Sequence, residues 1–111
     1  MAYDIRLAAR IRDLLGERPD LREQRMFGGL GFLVGGNMAV AASSDGGILV
    51  RIDPAEGERL LATTPARPAV MHGRTMTGWL RVSAGHVRTD DELARWVQRG
   101  VAYAENLPPK R

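Results

Sequence analysis

The chain begins with apolar residues at helical spacing and charged residues between them. The apolar positions are Ile5, Ala8, Ile11, Leu14 and Leu15. Residues that recur every three or four positions lie on one face of a helix. This pattern predicts an amphipathic helix over residues 4–15, which Gly16 and Pro19 end.

The next part of the chain alternates short apolar runs with turn residues, which is typical of a sheet. It predicts four strands, over Leu21–Phe27, Leu30–Val34, Asn37–Ala42 and Ile48–Ile52. Between the second and third strands, Gly35-Gly36 predicts a tight hairpin whose central residues have positive φ. A cluster of small and polar residues, 43–47, predicts the turn before the fourth strand.

A helix start follows the fourth strand. Asp53 can accept hydrogen bonds from free amides, Pro54 fits the first helical position, and Glu56 is placed to complete a capping box. This predicts a short helix that runs to about Ala62.

The remaining residues predict a loop, two strands and a last helix. The loop covers 63–68, a short strand 69–71, a connection 73–77 and a further strand 78–82. Thr89-Asp90-Asp91-Glu92 repeats the capping pattern, with acidic residues in the first turn. The helix that follows is expected to end before Pro108 and to turn Leu93, Trp96, Val97, Val101 and Ala104 inward.

The order of these elements predicts an α+β fold. Strands linked by hairpins make a mainly antiparallel sheet, and helices on one face complete a two-layer sandwich of order α-β-β-β-(β)-α-β-β-α. With 111 residues and no linker-like segment, the chain is expected to be a single domain over residues 1–111.

Composition narrows the function classes. The chain has no cysteine, so neither a disulfide nor a thiolate metal site is expected. No apolar run is long enough to cross a bilayer and residues 1–6 do not open an export signal, which predicts a cytoplasmic protein that does not contact membranes. The net charge of +3 is spread among 13 acidic residues, which favours a mixed solvated surface over a basic nucleic-acid patch.

Glycine-rich motifs carry a resemblance to a known family. They are Arg25-Met26-Phe27-Gly28-Gly29 with Gly31-Phe32, then Gly36-Asn37-Met38, then Met76 with Gly78-Trp79. With these motifs the chain resembles the N-terminal domain of the TfoX/Sxy family, named for regulators of natural competence. The resemblance implies a two-layer fold similar to that of type III secretion chaperones, and a regulatory, non-enzymatic role. The resemblance is to competence-like regulators, but their two-domain members carry a further helical domain that is not among these residues. What we expect to carry over is therefore the fold and a role as a stand-alone partner-binding module.

The sheet side opposite the helices, here called the open face, is the first candidate site. Strand alternation puts Leu33, Ala39, Ala41, Leu49 and Trp79 on it beside Arg51 and Arg81, with Met38, Val40 and Ala42 facing the helices. Apolar residues with tryptophan and arginine are typical of interface centres. The expected partner is another protein or a second copy of the chain, as a homodimer, and the residues assigned to the contact are Leu33, Leu49, Arg51, Trp79 and Arg81.

Two other binding functions remain open. Arg51, Arg81 and Trp79 could bind nucleic acid, although one aromatic is little support for base stacking. Arg25 and Arg74, each in a glycine-flanked loop, could hold an anion or a small ligand.

Residues suited to catalysis are sparse. His72 and His86 lack metal-ligand spacing, and no pair of carboxylates is placed for acid–base work. Four methionines, Met26, Met38, Met71 and Met76, are interpreted as core residues that fill gaps. We therefore expect no enzymatic activity, no cofactor and no metal.

Overall fold

The computed structural model describes residues 3–26 and 28–109. Within them the chain forms a six-stranded sheet, three α-helices and one short 3-10 turn. The helices and strands are α1 (Ile5–Leu15), β1 (Leu21–Met26), β2 (Gly29–Val34), β3 (Asn37–Ala42), β4 (Ile48–Arg51), α2 (Pro54–Thr63), β5 (Arg67–Met71), β6 (Arg74–Val82) and α3 (Asp90–Glu105). The predicted α+β class and element order are confirmed.

All neighbouring strands in the sheet are antiparallel, in the order β1-β2-β3-β4-β6-β5. Gly35 and Gly36 join β2 to β3 with φ of 60° and 83°, which confirms the predicted hairpin. His72 and Gly73 join β5 to β6 with φ of 53° and 76°. Two left-handed residues in a two-residue loop are what a type I′ turn requires. The predicted connection over 73–77 was therefore wrong, because β6 already begins at Arg74.

The helices cover one face of the sheet. Helices α1 and α3 pack against each other and against β3, and α3 also contacts β2 and β4. Leu60 of α2 belongs to the same core as Leu80 of β6. The largest fully buried side chains of this core include Phe32, Ile11, Ile48, Ile52, Leu60 and Leu93. None of the described helices is long and apolar enough to cross a membrane.

Side-chain caps start the helices, with one difference from expectation. Thr89 and Glu92 form the predicted capping box of α3, and the hydrogen bonds from Thr89 lower the pKa of the Glu92 carboxyl. At α2, Asp53 accepts a hydrogen bond from the amide of Ala55 at 2.9 Å. The box predicted there was wrong, because the Glu56 carboxylate instead accepts a hydrogen bond from Arg59 at 3.0 Å.

An irregularity in β3 changes which residues face the helices. Phe32 pairs with Val40 but Leu33 pairs with Met38, so Ala39 is an extra residue in the ladder. An extra residue shifts the alternation of side chains by one position. Ala39 therefore belongs to the core, and Met38 lies on the open face. Both assignments were wrong in the sequence analysis, whereas Val40 and Ala42 face the helices as predicted.

Helix α3 lies unusually close to the sheet at Gly100. A methyl group added to this glycine would lie 2.2 Å from the backbone oxygen of Ala39 and 3.4 Å from Cγ1 of Val50. The first distance is far below van der Waals contact, and backbone cannot move aside as a flexible side chain can. Only glycine fits here.

We expect Gly100→Ala to lower the free energy of unfolding by about 2 kcal/mol or more, as overpacking of a core does. Gly57→Ala is the matched control in α2, because its added methyl group would meet Cδ1 of Ile52 at an ordinary 3.4 Å. There we expect a gain of about 0.5 kcal/mol from helix propensity. Denaturant titrations measure both values. Equal effects of the two substitutions would contradict the close packing of α3.

A bidentate ion pair ties α1 to the edge strand β1. Arg12 donates from Nε to Glu23 at 2.5 Å and from a terminal nitrogen at 2.8 Å. These hydrogen bonds hold the pKa of the Glu23 carboxyl below its usual range. A carboxyl group with a lowered pKa in the fold stabilises it above the pKa of the unfolded chain. That contribution is lost as the pH falls through the lowered value.

We expect Glu23→Gln to cost up to about 1 kcal/mol of unfolding free energy at neutral pH, since the pair is partly exposed. The difference from the unsubstituted chain should shrink as the pH falls below about 4 and vanish once the folded carboxyl is protonated. Denaturant titrations across this range test it, with Glu17→Gln as the control. A difference that does not change with pH would show that the pair contributes nothing.

Candidate functional site

The open face is concave. Strands β1 and β5 are the two edges of the sheet, so in a flat sheet they would lie five strand spacings, or about 24 Å, apart. Yet Met26 of β1 and Met71 of β5 line the same cavity. The side chains alone are too short to close that distance. The two edges of the sheet therefore curl toward each other and enclose a hollow on the side away from the helices.

This hollow has a volume of about 160 Å³ and mostly apolar walls. The side chains around it come from β1, β3, β4, β5, β6 and the turn after β3; they include Met26, Met38, Ala41, Leu49, Ala69, Val70, Met71, Met76 and Trp79, with Ser43, Ser44 and Arg81 as the polar members. We call it the methionine cavity. Its size is close to that of engineered cavities of about 150 Å³ that bind benzene.

The four methionines contribute to this cavity from four different strands. Their interpretation as buried filling of the core was wrong, because each is half-buried on the open face. Gly31 leaves room for two of them. A methyl group on this glycine would lie 2.8 Å from Sδ of Met38 and 3.2 Å from Cε of Met26. Methionine is flexible and polarizable, so these walls can adapt to the shape of an occupant.

Four further residues of the cavity wall lie on the face that strand alternation predicts for them. Leu49, Ala41 and Trp79 all line it, as does Arg81. Gly78 has a φ of 87° and interrupts the alternation along β6, so that Met76 and Trp79 face the same side although three positions separate them.

The remaining predicted contact residues lie beside the cavity. The guanidinium carbon of Arg51 is 5.6 Å from the ring centroid of Trp79 and 5.7 Å from that of Tyr103. Because Tyr103 belongs to α3 on the helix side, these cation–π contacts place the guanidinium at the end of β4, at the border between the two faces of the sheet. Leu33 pairs with Met38 and is half-buried on the same face, but it does not line the cavity.

One ion pair lies at the polar side of the cavity. Arg81 donates to the Asp45 carboxylate at 2.5 Å. Burial raises the pKa of Asp45, but hydrogen bonds from the Gly47 amide and the Ser43 hydroxyl, together with the charge of Arg81, outweigh it and lower the pKa. Asp45 therefore stays ionised and paired at neutral pH.

The family described as the TfoX N-terminal domain matches residues 13–104, which include all six strands and most of α3. The chain belongs to the TfoX N-terminal domain family. No curated protein and no solved structure matches it, so the likeness to secretion chaperones stays a prediction.

Most residues of the family motif have structural roles in the sheet. Gly28 has a φ of 76° in the β1–β2 turn, and a methyl group on Gly29 would lie 2.4 Å from the backbone oxygen of Ala42. Met26, Gly78 and Trp79 shape the methionine cavity, as described above. Phe27 lies outside the described residues.

The two arginines proposed as an anion site are not brought together. Arg25 pairs with Leu30, a core residue, so it lies in the register of the helix side of β1. Arg74 pairs with Met71 at the β5–β6 turn, in the register of the open face. Directly opposed residues in an antiparallel pair share one face. His72 and His86 likewise lie in separate turns.

Asn37 has a role that the sequence analysis missed. It is 2% exposed, and its Nδ2 donates to the backbone oxygen of Pro108 at 2.9 Å. The residue therefore ties the segment after α3 to the β2–β3 turn. An asparagine directly after a two-glycine turn was the signal that could have indicated it.

We expect benzene to enter the methionine cavity. Ring currents should then shift the ε-methyl signals of Met26, Met38, Met71 and Met76 together in methyl NMR spectra. Gly31→Leu should abolish these shifts, because its side chain extends toward the methionine ends. Gly85→Leu is the control, at a position where an added methyl group meets nothing within 4 Å. Benzene shifts that persist unchanged with Gly31→Leu would contradict this account of the cavity.

Proposed function

We propose that this chain is a non-enzymatic protein-binding module whose contact surface is the open face. One observation supports this above the others. The face that no helix covers is concave and apolar, with the methionine cavity at its centre and Trp79 and Leu49 in its walls. An exposed apolar patch of this kind is unfavourable in water and often marks a binding site. A tryptophan that becomes buried on binding is typical of the residues that contribute most to the affinity of an interface.

The chemistry of the walls supports binding over catalysis. None of the described residues that line the cavity is a histidine, an aspartate or a glutamate. Thioethers, methyl groups and an indole are not general acids or bases. Ser43 and Ser44 are the hydroxyl groups in the lining. The Ser43 hydroxyl donates to the Asp45 carboxylate, whose pKa is lowered and which Arg81 binds, so this carboxylate is a weak base for activating a nucleophile.

Family membership supports a regulatory role for this binding, of the competence-like kind for which the family is named. A regulator of this size can act by binding to a partner protein, without catalysing a reaction. The nucleic-acid alternative has less support, because Arg51 is engaged by two aromatic rings and Arg81 by Asp45. Binding of an anion by Arg25 and Arg74 together has the least support, because the strand register places these two arginines on opposite faces of the sheet.

Affinity capture from lysate of the source cells, read by quantitative mass spectrometry, tests the proposed surface. We expect at least one protein that the unsubstituted chain retains and that Leu49→Glu releases, by about tenfold or more, because a carboxylate cannot be buried against the cavity walls. Ile5→Glu is the matched control, since Ile5 is an apolar residue of α1 with 65% exposure.

Sedimentation of the purified chain covers the case in which the partner is a second copy. A dimer that Leu49→Glu or Trp79→Ala converts to a monomer would support self-association through the open face. A monomer whose captured proteins are the same for Leu49→Glu and Ile5→Glu would refute the proposed function.

A further inference from the structure

The strands place positive charge around the methionine cavity. Arginines in the register of the open face are Arg22, Arg51, Arg67, Arg74 and Arg81. The one carboxylate on the described strands, Glu23, pairs with Phe32 in the register of the helix side and is bound by Arg12 of α1. The open face therefore combines an apolar hollow with five arginines and no carboxylate from the described strands.

Two of these five arginines already interact with neighbouring side chains. Arg81 is neutralised by Asp45, and Arg51 lies over two aromatic rings. Arg22, Arg67 and Arg74 are exposed, and among the described residues none of them has a carboxylate within ion-pair distance. Arginine binds carboxylates through two parallel hydrogen bonds, so these side chains are suited to bind acidic groups on a partner.

The same charges argue against a face-to-face pair of identical chains. Such a pair would bring two sets of arginines together, and like charges across an interface cost several kcal/mol. Nucleic acid is also a poor fit. Trp79 is the aromatic residue that the described strands present on this face, and Arg51 covers its ring. Unstacked bases need free aromatic faces.

We infer that the open face binds an acidic protein segment that anchors one apolar side chain in the methionine cavity; this rests on the proposed function. The volume of about 160 Å³ fits a single aromatic or long aliphatic side chain, since a cavity of about this size holds benzene. Aspartate and glutamate on either side of that anchor would then meet Arg67, Arg74 and Arg22. The adaptable methionine walls allow leucine, methionine or phenylalanine as the anchor.

A phage library of random dodecapeptides, selected on the immobilised chain, is the test. We expect enriched sequences in which one large apolar residue has acidic neighbours. A synthetic peptide of that consensus should bind at least about tenfold more weakly to the double variant Arg67→Glu/Arg74→Glu, and more weakly as salt rises. Arg25→Glu is the matched control, with the same change on an exposed strand residue of the helix side. Gly31→Leu should abolish binding, and circular dichroism checks that each variant is folded.

The outcomes separate this inference from the proposed function. The selected peptides could need an open cavity and yet be neutral or basic, with an affinity that Arg67→Glu/Arg74→Glu does not change. That result would overturn the inference of an acidic segment but keep the open face as a binding surface. Failure to enrich any cavity-dependent peptide also overturns the inference, while the capture experiment with Leu49→Glu still decides the proposed function. Tighter binding of a single-stranded DNA oligonucleotide than of the peptide, lost with Arg67→Glu/Arg74→Glu, assigns the face to nucleic acid instead.

Discussion

The sheet has apolar residues on both faces, and the helices cover only one of them. The close packing of α3 on one face and the curvature of the sheet on the other both reduce the apolar surface that is exposed to water. On the helix side, α3 approaches so closely at Gly100 that no side chain fits between helix and strand, and the core residues are buried. On the other side, the sheet curls and its two edge strands share one hollow. Curling reduces the apolar surface in contact with water but does not remove it.

Small departures from regular strand geometry make the curl possible. The extra residue at Ala39 and the left-handed Gly78 each break the alternation of their strand and increase its local twist. Gly31 leaves space where the ends of Met26 and Met38 meet. The glycines that carry the family resemblance thus shape the cavity walls. The side chains that give the face its chemical character are methionines and arginines.

Local patterns in the sequence were sufficient for most elements of the fold. The Gly35-Gly36 turn, the capping box at Thr89 and the bounds of β3 depend on neighbouring residues, and each was predicted. The face on which each side chain lies was harder to predict, because period-two alternation cannot reveal an extra residue in a strand. For that reason Met38 and Ala39 were each assigned to the wrong face. The methionine cavity was not predictable at all. It depends on the curl that brings β1 and β5 together, which is a property of the whole sheet.

Oxidative footprinting of the four cavity methionines tests the central claim most directly, because it reads the open face without knowledge of the partner. Hydroxyl radicals would be applied to the chain in its source cells and to the purified chain, and sulfoxide formation at Met26, Met38, Met71 and Met76 compared by mass spectrometry. If the open face holds a partner, these four should be protected in cells relative to the purified chain. Equal oxidation in both settings, with the purified chain held at a concentration where it sediments as a monomer, would mean that the open face holds no partner and would contradict the account.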